Sequence, residues 1–209
     1  MKKTSCMAIL LSGCLILSGC GSLNNTAKGG MIGGGSGAAL GALIGGIAGH
    51  GKGAAIEGAE VEQVTDNNGL QAVKVTFDSG ILFQTSSSDL STSAKSALSK
   101  FANNVLIQNP DMDVAIYGYT DNTGWKNSTA EQSVQKNLEL SQSRAQSVSN
   151  YLRACGTTTS QIKTVEGLGE SNPVADNSTE AGRQENRRVE VYMYASQQMI
   201  QQAEAGTLQ

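Results

Sequence analysis

Val114-Ala115-Ile116-Tyr117-Gly118-Tyr119-Thr120-Asp121-Asn122-Thr123-Gly124 decides the fold, because an alternating apolar strand runs here into a polar loop ended by glycine. Asp121 therefore stands in the loop at the strand's end. Downstream, Asn137, Ser141 and Arg144 lie at i, i+4 and i+7 and share one face of a helix predicted from about Gln135 to Ala154. A carboxylate in the loop and a guanidinium on the adjacent helix are the two halves of a receptor for a group carrying both an ammonium and a carboxylate. The alternative is an ordinary ion pair between Asp121 and Arg144, of the weak kind common on surfaces.

Working outward, the chain alternates sheet and helix signals. Val61 to Asp66 and Leu70 to Phe77 flank Asn67-Asn68-Gly69, a hairpin signal, with Val73, Val75 and Phe77 alternating inward. Asp89 to Ser91 offers an N-cap for a helix whose Ala94, Ala97, Leu98, Phe101, Ala102 and Val105 recur at helical spacing and which ends before Pro110. Ile162 to Glu166 reads as a strand, Thr179 to Glu185 as a short helix, and Val189, Val191 and Met193 as the inward positions of a last strand. Arg187 stands where that last strand begins and is expected to face the pocket. The expected fold is α+β, a βαβαβ sandwich with a mixed sheet packed against helices, over residues 60–195. Residues 196–209, rich in Gln and Ala, read as a mobile tail.

Four blocks in fixed order carry a family likeness: Gly118 to Gly124, Asn137-Leu138-Glu139-Leu140-Ser141-Gln142-Ser143-Arg144-Ala145, Gly167-Leu168-Gly169-Glu170-Ser171-Asn172-Pro173, and Asn186-Arg187-Arg188-Val189-Glu190. From about Val73 to Met193 the chain resembles the OmpA-like peptidoglycan-binding domain of diderm bacteria. The resemblance implies that Asp121 takes the ammonium and Arg144 the carboxylate at the free end of diaminopimelate in a peptidoglycan stem, with Thr123, Asn137 and Arg187 completing the contacts. Two charge-assisted contacts are worth about 3 to 6 kcal/mol together, which suggests millimolar to micromolar affinity. Lysine in place of diaminopimelate would leave Arg144 without a carboxylate to grip bidentately, so selectivity for the diamino acid is expected. One departure from the family is the stretch from Gly124 to Asn137, longer than usual by about two helical turns. It either lengthens the helix outward or folds over the pocket. Trp125, the only tryptophan, sits at its start, where packing on a neighbouring surface is the commoner role.

The N-terminus reads as a secretory signal: Lys2 and Lys3 precede an apolar run from Cys6 to Leu17 that is too short to span a bilayer. Leu17-Ser18-Gly19-Cys20 resembles a lipobox, which makes residues 1–19 the signal and Cys20 the lipidated residue. A second match, Leu11-Ser12-Gly13-Cys14, would cut the apolar segment to about five residues, below the usual range. Several acyl chains on Cys20 would make a firm anchor where one chain binds only marginally. Gly21 and Ser22 follow, without the aspartate that would resemble an inner-membrane retention signal, so the outer membrane is expected, with the wall-binding domain in the periplasm. Loss of Cys6 and Cys14 would leave Cys155 as the only unmodified thiol and allow no intramolecular disulfide.

Residues 20–28 read as a tether and residues 29–59 as a glycine-zipper, membrane-associated segment. Gly33, Gly37, Gly41, Gly45, Gly49 and Gly53 recur every four residues, and residues 29–49 carry no charge. As a helix those residues would span roughly 30 Å, the thickness of a hydrocarbon core. In water each glycine costs a helix about 1 kcal/mol relative to alanine, whereas in a membrane a small-residue stripe lets helices approach closely. The other reading is a flexible glycine-rich linker.

The chain carries 15 basic and 18 acidic residues; without Lys2 and Lys3 the balance is 13 against 18, a net charge of −5. No basic run suggests nucleic-acid binding. His50 is the only histidine, so neither a metal site nor a cofactor nor a catalytic base is expected, and no second acid in the blocks opposes Asp121 as a glycosidase would require. The expected protein is a lipoprotein that grips peptidoglycan non-covalently and ties the outer membrane to the wall. The rival is a glycine-zipper homo-oligomer forming a pore or an assembly platform held in place by its wall-binding domain.

Overall fold

The computed structural model describes residues 59–65 and 71–205. The signal, Cys20, the tether and the glycine zipper up to residue 58 lie outside the described residues, as does the Asn67-Asn68-Gly69 turn.

Five strands form one mixed sheet in the order β1-β2-β5-β3-β4. β1 (Ala59–Thr65) and β2 (Gln71–Asp78) pair antiparallel, as the hairpin signal requires. β5 (Arg188–Ala195) inserts between β2 and β3 (Met112–Gly118) and is antiparallel to both, while β4 (Ile162–Gly167) runs parallel to β3. Because successive side chains alternate, Val73, Val75 and Phe77 share one face with Val114, Ile116, Val189, Val191 and Met193. That face is the core.

Two helices cover it. α2 (Thr92–Phe101), capped by the Ser91 hydroxyl and continued by a π-helical turn over Ala102–Leu106, buries Ala94, Ala97, Leu98 and Phe101. Phe101 meets Phe77 edge to face at 5.8 Å. α3 (Ala130–Ala154) buries Ala145, Val148 and Leu152. It begins five residues before the expected Gln135, because Thr129 and Gln132 form a capping box that starts the helix there. Gly156, at φ 108°, and Thr157 close its far end by bonding back to Arg153 and Leu152. Cys155 sits at that end, half-buried beside the Ser99 hydroxyl.

Helix and sheet touch backbone to backbone at two glycines. A Cβ on Gly118 would run into the carbonyl of Ser141, and one on Gly167 into the backbone of Gln142. This close approach sets α3 directly over the ends of β3 and β4, and so fixes where its side chains stand.

Two short elements escape the sequence patterns. α1 (Ser79–Leu82), capped by Asp78, turns the chain back from β2. α5 (Gln197–Glu204) replaces the expected mobile tail over those residues: the Ser196 hydroxyl caps it, and Met199 and Ala203, four apart, are buried. Its apolar stripe is only Met199, Ile200 and Ala203, too narrow to stand out among glutamines. Residues 206–209 lie outside the described part. α4 (Glu180–Asn186), capped by Thr179, matches the expected short helix.

Candidate functional site

The strand ends converge on one side of the sheet. Beyond β3, Tyr119 N–H donates to the Arg188 carbonyl and Thr120 N–H to that of Gly169, which carries the Asp121 loop between β5 and the loop after β4. Ser79 N–H donates to the Arg187 carbonyl and draws α1 to the same place. A cavity of about 470 Å³ opens there, lined by Asp121, Thr123, Asn137, Arg144 and Arg187 among others. All five expected binding residues therefore meet in one place.

The alternative of an ion pair between Asp121 and Arg144 is not what forms. Asp121 is buried, and its partner is Arg187 rather than Arg144: the Arg187 Nη1 donates to Asp121 Oδ2 at 2.5 Å. Burial pushes the Asp121 carboxyl up, but hydrogen bonds from Thr123 and from Arg187 outweigh it and hold the group below its ordinary value. Thr123 N–H donates to Asp121 Oδ1 at 2.7 Å. The Arg187 Nη2 reaches Glu180 and Gln184, each at 2.7 Å. Despite partial burial, the Glu180 and Asp121 carboxylates keep Arg187 above the usual guanidinium value.

Arg144 is 4% exposed, its Nε donating to the Ser87 carbonyl at 3.0 Å and its guanidinium lying 5.1 Å from the centre of the Phe83 ring. Burial and the nearby Arg187 push its pKa down to about 10, so it stays charged at neutral pH. Among the described residues its two terminal nitrogens have no hydrogen-bond acceptor. Ser79 Oγ and Thr120 Oγ1, both on the cavity wall and both buried, likewise lack one. Uncommitted buried donors are costly, which marks this wall as the place for an acceptor-rich group.

Asn137 is a brace within the wall. Its Oδ1 accepts from the Trp125 indole N–H at 2.7 Å, and its Nδ2 donates to the Thr123 carbonyl and to Glu170. The indole can only donate, so it fixes which way the amide faces. Ser141, on the same helix face, accepts from Gly169 N–H and pins the loop after β4.

The long segment after Gly124 does both things left open by the sequence. Its second half lengthens α3, and its first half folds against the cavity. Trp125 lines that cavity, and its backbone N–H is held by the Ser133 hydroxyl.

Sequence reasoning missed Glu180, Gln184 and Phe83 as wall residues, because none of them belongs to a motif block. Glu180 stood within reach, two helical turns before Arg187, a spacing that could have revealed it.

Comparison with known proteins places the chain in a family. Residues 1–62 match the model of the YMGG-like Gly-zipper. The chain is 36% identical over 134 residues to the probable lipoprotein YiaD of Escherichia coli, covering 64% of this chain and 54% of that protein. It is 49% identical over 82 residues to the peptidoglycan-binding protein ArfA of Mycobacterium bovis, covering 39% of this chain and 22% of ArfA. The chain thus spans about half of the first relative and about a fifth of the second. The solved structure of the cell wall anchor of the T6SS from Pseudomonas aeruginosa superposes with a TM-score of 0.55 at 25% identity, covering 73% of this chain and 97% of that one. The OmpA family model matches residues 82–187, just over half of the chain, and the chain belongs to the OmpA family.

Proposed function

We propose that this domain binds peptidoglycan non-covalently through the free end of diaminopimelate. The observation that carries the reading is Arg144: a buried guanidinium, held by Ser87 and Phe83, whose terminal nitrogens face the cavity uncommitted beside Asp121. Such a fork suits a carboxylate bidentately. The ammonium goes to Asp121, in place of Arg187. That exchange costs little, because Arg187 keeps Glu180 and Gln184 when it releases Asp121. Thr123 holds the Asp121 carboxylate in place, and Asn137 holds the Thr123 loop, so neither needs to touch the ligand to matter. The peptidoglycan-binding name of ArfA supports the same ligand class.

The setting we propose is the periplasmic side of the outer membrane, with the chain anchored through a lipidated Cys20. The name of YiaD, a probable lipoprotein, supports the anchor. A second reading, a glycine-zipper homo-oligomer forming a pore or platform, draws on the match of residues 1–62 to the Gly-zipper model.

Co-sedimentation of the full chain in mild detergent with purified diaminopimelate-type peptidoglycan tests the main reading. Wild type is expected to pellet, whereas Asp121→Ala and Arg144→Ala stay in the supernatant, as wild type does with lysine-type wall. Equal pelleting of the variants overturns the assignment of the site.

A further inference from the structure

The cavity holds more cationic capacity than one zwitterionic group can use. Arg187 is shared by Asp121 and Glu180, which leaves Arg144 and Lys126 as the other two cations on the wall. Lys126 is exposed, and among the described residues no hydrogen bond or ion pair engages it.

Its place is nevertheless defined. Lys126 follows Trp125 in a tight turn closed by Ser128 N–H donating to the Trp125 carbonyl, with Asn127 at φ 58° in the position that favours a left-handed residue. Both ends of the turn are fastened. Trp125 is held at its backbone N–H by Ser133 and at its indole by Asn137. Ser128 accepts from Lys136 Nζ, whose ammonium also lies 5.7 Å from the centre of the Trp125 ring. Lys136 is thereby committed and Lys126 is not. The turn thus carries a free ammonium to the cavity on a fixed mount, with the indole forming part of the wall.

We propose that Lys126 is a second carboxylate site, which takes the α-carboxylate of the γ-linked glutamate next to diaminopimelate in the stem peptide while Arg144 holds the diaminopimelate carboxylate. This rests on the diaminopimelate reading above. Trp125 then borders the methylene chain that separates the two charged ends. The dimensions allow it: about 470 Å³ is far more than a free amino-acid end fills and falls in the usual range of roughly 300 to 1,000 Å³ for ligands of drug size. The consequence is a preference for stem peptides whose glutamate is not amidated.

The test is calorimetric titration of the full chain in detergent with two soluble diaminopimelate tetrapeptides, one with a free glutamate α-carboxylate and one amidated there. Wild type is expected to bind the free acid about fivefold more tightly at low salt, the difference shrinking as salt rises, as for an exposed ion pair. Lys126→Met is expected to bind both peptides at the level of the amidated one, Lys126→Arg to restore the preference, and Lys136→Met to retain it. Equal binding of both peptides by wild type, or a preference that survives in Lys126→Met, overturns the second site alone. Failure of wild type to bind either peptide overturns the diaminopimelate reading and this inference with it.

Discussion

Arg187 stands at the cavity with Asp121, Glu180 and Gln184, whereas Arg188, one residue further on, turns to the other face of the sheet and is buried against Glu190 and Tyr119. Arg187 caps the end of α4, and Arg188 is the first residue of β5. Every nitrogen of the Arg188 guanidinium has a local partner: Nε donates to Glu190 at 2.8 Å, and the other two reach the carbonyls of Asn186 and Asn172. Its plane lies 3.8 Å from the centre of the Tyr119 ring, and Tyr192 donates its hydroxyl to the second Glu190 oxygen. Burial and the adjacent Glu190 push the Tyr192 phenol far up, so it remains a donor at any ordinary pH. Arg187 is half-buried and reaches partners on two sides. Similar chemistry thus serves as a fixed rivet in one region and as an exchangeable contact in the other.

Removing the rivet should have the largest effect. Arg188→Ala leaves Glu190 buried without its counter-charge and is expected to cost about 3 to 5 kcal/mol, read from the denaturant midpoint. Arg187→Ala should cost less, about 1 to 2 kcal/mol, because its pair with Glu180 reaches solvent and the buried Asp121 keeps the Thr123 N–H. Equal losses in the two variants would break the contrast. The smallest effect should come from pH. The folded pKa of Asp121 is lowered, so its contribution is complete above about pH 4 and is lost as pH falls through the lowered value. The thermal midpoints of wild type and Asp121→Asn should therefore differ at pH 6 and converge toward pH 3. A gap that persists at pH 3 would show that Asp121 stabilises through something other than its charge.

Much of this was legible in the residues. Strands announced themselves by alternation, and α2 by its apolar spacing. The position of Asp121 followed from its place at the end of β3, and that of Arg144 from helical periodicity. Their partners did not follow. Asp121 and Arg187 are 66 residues apart, and nothing local in either says that they meet. Arg144 rests on Ser87 and Phe83, which come from a segment without a motif. Alternation put Arg188 and Glu190 on one face, yet only the tertiary structure shows that this end of the face is closed enough to bury an ion pair. The early start of α3 was written plainly in Thr129 and Gln132, a capping box masked by the likeness of the later residues to a shorter family pattern.

The register of β1 bears on how the domain would carry a load. Ala59 pairs with Phe77, Phe77 with Val189, and Val189 with Gly118, so the point where the N-terminal segment joins the sheet lies at the same end as the cavity. If the wall held the cavity and the segment pulled at Ala59, tension would cross the ends of β1, β2 and β5 by a short route. The far end of the core, where Met112 meets Ala195, would be largely outside the line of force. Resistance to detachment would then depend on the β1–β2 ladder, which becomes the mechanical fuse of the molecule.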